Sequence, residues 1–99
     1  MKILALEKEI PETTLEQFAP HLKAEVARVW ELYKSGQLRE INFRGNCNEV
    51  ILILECANGE EAESLLDSLP LVPAGLIGFE VIPLVPYPGF ERLFEEQDD

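Results

Sequence analysis

Leu69–Tyr87 reads LPLVPAGLIGFEVIPLVPY. A helix exit at Leu69-Pro70-Leu71 and a link through Gly75 lead into an apolar strand, Leu76–Val85, with one ionisable group, Glu80, in its middle. Successive strand residues point to opposite faces. Leu76, Ile82 and Leu84 share an alternation set with Glu80, while Ile77, Phe79, Val81 and Val85 take the other. Both faces of this strand therefore call for burial, and a carboxylate sits among them. Burying a carboxylate is costly unless it is paired, hydrogen-bonded or protonated, so Glu80 is the first pointer to a site. Pro83 and Pro86 lack amide donors, which puts the strand at a sheet edge or makes it leave the sheet there.

Working back from this strand, the chain separates into alternating elements. Lys2–Lys8 (KILALEK) is read as a first strand with a short apolar run. Pro11–Thr14 is a turn, and Thr14 with Gln17 has capping-box spacing for one helical turn. Pro20 suits a first helical position, so the main helix is expected from about Pro20 to Lys34. Leu22, Val26, Val29, Trp30 and Tyr33 lie at helical spacing on one face, which reads as the core face. Gly36 is placed to take a left-handed cap. Leu38–Arg44 alternates as a second strand, with Ile41 and Phe43 sharing a face with Arg39. Gly45–Asn48 is a turn, and Glu49–Cys56, apolar from Val50 to Leu54, reads as a central strand. A second helix opens at Asn58, turns Ala62, Leu65, Leu66 and Leu69 inward, and ends at Pro70.

The order βαββαβ predicts an α+β, ferredoxin-like fold: a four-stranded antiparallel sheet with two helices on one face. Two helices cover one face only. Strands one, three and four carry aliphatics on both, and each such side chain left in water forgoes roughly 1.5–3 kcal/mol. The economical cover for the second face is another copy of the chain, which predicts a homodimer with two sheets face to face. The expectation is a single domain over residues 1–99, with 86–99 a C-terminal arm. That arm carries Tyr87, Phe90, Leu93 and Phe94 and is expected to lie on the partner, the alternative being a tail folded back on its own chain.

The 99 residues carry a net charge of −11, with only eight basic residues scattered along the chain. Neither a nucleic-acid backbone nor an anionic membrane surface suits such a balance. No apolar stretch is long enough to cross a bilayer, and nothing reads as a signal peptide. Cys47 and Cys56 do not make a disulfide framework, which points to reduced thiols and a cytoplasmic setting. A single histidine and the absence of a spaced ligand cluster predict no metal. No phosphate loop, nucleophile elbow or dinucleotide fingerprint occurs, and no cofactor is expected.

The βαββαβ order, the Leu69-Pro70-Leu71 exit and the Phe79-Glu80-Val81 strand resemble the muconolactone isomerase family of the dimeric α+β barrel group. YCII-related proteins and antibiotic-biosynthesis monooxygenases are relatives in that group. Arg39 sits like an arginine near the start of the family's second strand. The family's Leu-Pro-Leu-Phe-Pro run is Leu69-Pro70-Leu71-Val72-Pro73 here, its Trp-, His- and Arg-rich second strand reads Arg39-Glu-Ile-Asn-Phe-Arg44, and its His-Pro is Tyr87-Pro88. The resemblance implies a cofactor-independent enzyme on a lactone or carboxylate substrate, held in a pocket between sheet and helices.

Moving a double bond requires a group that takes a proton from one carbon and returns one to another, with a pKa brought toward neutrality. Glu80 is the expected proton carrier; its bland alternatives are a structural pairing to Arg39 or Arg44, or a place facing solvent where the strand leaves the core. His21, at the start of the main helix, is the second titratable candidate. Arg39 is the candidate anion anchor that the resemblance supports, with a surface or dimer-interface ion pair as its competing reading. Arg44 is weighed beside it against a surface ion pair. Trp30, Tyr33 and Asn42 are candidate pocket walls, and for the two aromatics the competing reading is plain core. Cys47 has Arg44 nearby in sequence, and Cys56 reads as packing. Two functional classes stay open: a proton-transferring enzyme, and a noncatalytic dimeric module binding a small anionic or apolar ligand or a protein. A cofactorless monooxygenase is a third.

Overall fold

A computed structural model describes residues 1–95. The order is β1 (Lys2–Glu9), α1 (Leu15–Phe18), a 3₁₀ turn (Ala19–His21), α2 (Leu22–Ser35), β2 (Leu38–Phe43), β3 (Val50–Glu55), α3 (Gly59–Asp67), β4 (Ile77–Pro83) and a C-terminal 3₁₀ segment (Pro88–Phe94). The strands form one antiparallel sheet in the order β2-β3-β1-β4. This is the expected ferredoxin-like α+β arrangement. β3 and β1 are central, and β4, with Pro83 at its end, is an edge. Of the expected arm, 86–99, the last four residues lie outside the described part.

Local chemistry accounts for the element ends. Gln17 Oε1 accepts from the Thr14 amide at 2.8 Å, holding the one-turn α1. At α3, Asn58 Oδ1 accepts from the Glu61 amide at 2.9 Å, and Glu61 Oε2 accepts from the Ala57 amide at 2.8 Å. Gly36 closes α2 with φ +85°, and its amide donates to the Tyr33 carbonyl. No atom lies within 4 Å of a Cβ built there, so only backbone strain opposes a side chain. Gly36→Ala should cost about 1 kcal/mol by urea unfolding. An unchanged midpoint would show that the left-handed cap is not maintained.

The helix-covered face is set by β-register. Ile3 pairs with Leu54 and Pro83, Ala5 with Leu52 and Val81, and Leu38 with Leu54. Ile3, Ala5, Leu38, Leu52 and Leu54 are buried together with Leu32, Ala62, Leu66 and Leu69 from the helical side. The other face carries Leu4 between Ile53 and Ile82, and Leu6 between Ile51 and Glu80. No element of the chain covers these residues, which are half-buried at best.

Two features differ from the expected pattern. The core face of α2 is Val29 and Leu32, flanked by the half-buried Glu25 and Arg28. Trp30 and Tyr33, expected in the core, are 56% and 52% exposed, and Leu22 and Val26 are exposed with them. The apolar stripe has helical spacing, but the helix is rotated so that the stripe looks sideways past β2. In β2 a bulge at Arg39 lets Leu38, Ile41 and Phe43 all align with helix-facing residues of β3, so Arg39 lies outside the alternation it was expected to share with Ile41 and Phe43.

Candidate functional site

The rotated stripe of α2 and the edge strand β2 bound an open groove of about 470 Å³. It is lined by Val26, Val29, Trp30 and Tyr33 from the helix and by Arg39, Glu40, Ile41 and Asn42 from the strand. Four residues singled out from the sequence, Trp30, Tyr33, Arg39 and Asn42, thus meet in one place. The Trp30 and Tyr33 rings stack with centroids 5.8 Å apart, making a flat apolar wall. Lys34 Nζ lies 5.9 Å from the Trp30 centroid at its rim. The Arg39 Nε donates to the Gly36 carbonyl at 2.6 Å. That bond holds the side chain; Arg39 is in none of the ion pairs among the described residues, and its charge is felt by the nearby Glu55.

The remaining predicted residues lie elsewhere. Arg44 pairs with Glu49 at 3.3 Å across the β2–β3 hairpin, the surface ion pair that was its alternative. Glu80 is exposed and faces away from the helices, opposite Leu6. The burial expected of it does not arise within one copy of the chain, because the face it stands on has no cover. It takes no part in the ion pairs with Arg39 or Arg44 that were weighed for it. Cys56 is buried, and burial pushes its thiol up, in keeping with packing. Cys47 is exposed, its Sγ 3.4 Å from Glu49 Oε1.

The structure adds two carboxylates that the sequence did not single out. Glu7 follows Ile3 and Ala5 on the helix-covered side of β1, and its Oε1 accepts from the Val50 amide at 3.0 Å. Glu25 stands on α2 one residue before the groove-lining Val26, and its Oε1 accepts from the Leu71 amide at 3.0 Å. Desolvation raises the pKa of both, outweighing the backbone hydrogen bonds that lower it. Glu25 and Glu49 push Glu7 up further, and His21, one turn before Glu25, pulls Glu25 partly back. The partly buried His21 therefore acts on a carboxylate through space, with no ion pair between them among the described residues, and that carboxylate is not Glu80. The signal for Glu7 was its place in the buried alternation set of β1. For Glu25 it was a position among core-facing turns of α2, legible only once that face is known.

These shifts have a consequence for stability. A raised carboxyl pKa means that the folded state keeps its proton to higher pH than the unfolded chain. The stabilisation is complete below the unfolded value near 4.5 and is lost as pH rises through the folded one. Urea unfolding between about pH 4.5 and neutrality should show this loss. Glu7→Gln, which keeps an acceptor for the Val50 amide, should flatten the pH dependence, and identical slopes in both proteins would refute the assignment.

No family model matches this sequence, and no curated protein matches it. Solved structures do. Muconolactone isomerase superposes with a TM-score of 0.73 at 18% identity, over 89% of this chain and 92% of that one. The 5-chloro-2-hydroxyhydroquinone dehydrochlorinase TftG of Burkholderia phenoliruptrix AC1100, in complex with 2,5-dihydroxybenzoquinone, superposes with a TM-score of 0.69 at 19% identity, over 86% of this chain and 94% of that one. The likeness covers the sheet and helices and establishes the ferredoxin-like fold that those two enzymes share. No helix among the described residues is long and apolar enough to cross a membrane.

Proposed function

We propose that this chain is a cofactor-independent, cytoplasmic enzyme that transfers protons on a small carboxylate or lactone substrate and works as a homodimer. The observation that carries the reading is the convergence of Arg39, Trp30, Tyr33 and Asn42 on one groove; the partly buried carboxylate Glu25 is on the same helix but turns toward Leu71 and does not line the groove. Arg39 supplies a fixed cation for an anionic substrate group. Trp30 and Tyr33 supply a flat surface for a small ring. Glu25, its pKa raised by desolvation, is the proton carrier proposed on the helix-covered side of the sheet. His21 pulls that pKa partly back. Glu80 remains the second carrier to be tested. It gains the burial that would raise its pKa only if a second sheet covers Leu4, Leu6, Ile51, Ile53 and Ile82.

The kinship in fold to an isomerase and a dehydrochlorinase supports a reaction class in which protons move on small ring compounds. The test is ultraviolet-monitored turnover of muconolactone, with 5-chloro-2-hydroxyhydroquinone in parallel. Turnover of either by the wild-type protein supports the enzyme reading. A folded dimer inert to both would favour the noncatalytic module, for which the stacked Trp30–Tyr33 wall is the binding surface.

A further inference from the structure

The C-terminal arm is built to leave its own body. The amide of Leu84 donates to the Lys2 carbonyl at 2.9 Å, and beyond it no hydrogen bond joins the chain to the rest among the described residues. Val85, Tyr87, Phe90, Leu93 and Phe94 are 67–83% exposed. The molecule extends 67 × 28 × 22 Å, with a radius of gyration of 17.4 Å, where a compact chain of this length has about 13 Å. Yet the arm has internal order. Tyr87 and Phe90 meet edge to face with centroids 5.1 Å apart. Their contact needs Gly89, because a Cβ there would collide with the Tyr87 ring. A segment shaped this way and carrying such aromatics in water lacks a surface to pack on.

The groove lacks a cover of matching chemistry. Its walls are exposed Val26, Trp30, Tyr33 and Ile41, with Lys34 at the rim. The arm brings aromatics together with Glu91, Arg92 and Glu95, and the groove offers Lys34, Arg39 and Glu40 beside its apolar wall, so apolar can meet apolar and charges of both signs have partners. A chain's own arm starts from β4, the sheet edge opposite β2, about three strand spacings or 14 Å away. A two-fold axis along the strands, stacking the uncovered faces of two sheets, sets the partner's β4 edge over β2.

We propose that the C-terminal arm of a second copy crosses the β2 edge and covers the groove, with the partner's Tyr87 and Phe90 facing Trp30 and Tyr33 across the space that a bound ring would take. The site is then incomplete in one chain, and the arm excludes water from it. This rests on the dimer proposed above and goes beyond it by assigning the cover of the groove.

The experiment is directed disulfide formation in the full chain with Cys47→Ser, to remove the exposed thiol. Phe90→Cys is combined with Val26→Cys in one protein and with Ile41→Cys in another, all exposed positions that should not disturb folding. A covalent dimer on non-reducing electrophoresis, absent from each control that carries one introduced cysteine beside the buried Cys56, is the expected result. A cyclised monomer would show the arm folding onto its own chain and overturn the proposal. A dimer by sedimentation with no cross-link from either pair would overturn the arm's placement alone, and a monomeric wild type would overturn the dimer as well. Trp30, the only tryptophan, gives an independent readout. The double substitution Phe90→Ser with Phe94→Ser should shift its emission to longer wavelength and increase quenching by acrylamide. Unchanged emission would count against the arm.

Discussion

Glu25→Gln should lower kcat by about 10² to 10⁴-fold, the range that general acid–base groups contribute, and leave the fold intact. The carboxylate is partly desolvated and already holds its proton to higher pH than a free glutamate. A neutral amide therefore fits its surroundings, and its carbonyl can still accept from the Leu71 amide. The melting temperature should be unchanged or slightly higher at neutral pH. KM should change little if Arg39 carries substrate binding, whereas Arg39→Gln should raise KM with a smaller effect on kcat. Glu80→Gln is the necessary companion. Retention of activity in Glu80→Gln with loss in Glu25→Gln assigns the proton to the helix-covered side of the sheet. The reverse pattern would assign it to the uncovered face and to a site made by two stacked sheets.

Ile3 and Leu4, adjacent in sequence, should fail in different ways. Ile3 is fully buried between Leu54 and Pro83 under the helices. Ile3→Asp places an unpaired carboxylate in that core, which costs several kcal/mol, a large share of the roughly 5–15 kcal/mol that holds a domain together. The variant should be unfolded or nearly so by circular dichroism. Leu4 lies between Ile53 and Ile82 on the uncovered face. Leu4→Asp is solvated in a single chain and intolerable between two apolar sheets, so the protein should keep its secondary structure and sediment as a monomer. A folded dimer in Leu4→Asp would show that this face is not the contact between copies.

What sequence reading recovers here follows from the range of each interaction. Element order, the β4 edge and the Asn58 cap are local matters of proline, glycine and hydrogen-bonding side chains, and they read directly. The facing of α2 is different. Leu22, Val26, Trp30 and Tyr33 satisfy helical spacing as well as any core stripe does, and periodicity carries no information about which neighbour the stripe meets. Leu32, placed between Glu31 and Tyr33, is the buried residue. Glu7 and Glu25 are hidden among 19 acidic residues, because what distinguishes them is desolvation by segments distant in sequence. Glu80 drew attention through apolar neighbours along its own strand, yet those neighbours alternate faces, and the face it shares is open in a single copy.

The bulge at Arg39 bears on how this scaffold can change. In a regular strand the removal of one residue turns every later side chain to the opposite face. Here β2 already pairs Leu38 with Leu54, Glu40 with Ile53 and Ile41 with Leu52, with Arg39 looped out between them. Deleting Arg39 would restore unbroken alternation and leave Leu38, Ile41 and Phe43 where they are. The residue that supplies the groove's cation is thus a separable insertion. Lineages could gain, lose or exchange it without repacking the interior, so the charge of this groove can drift at a single position while the architecture stays under independent selection.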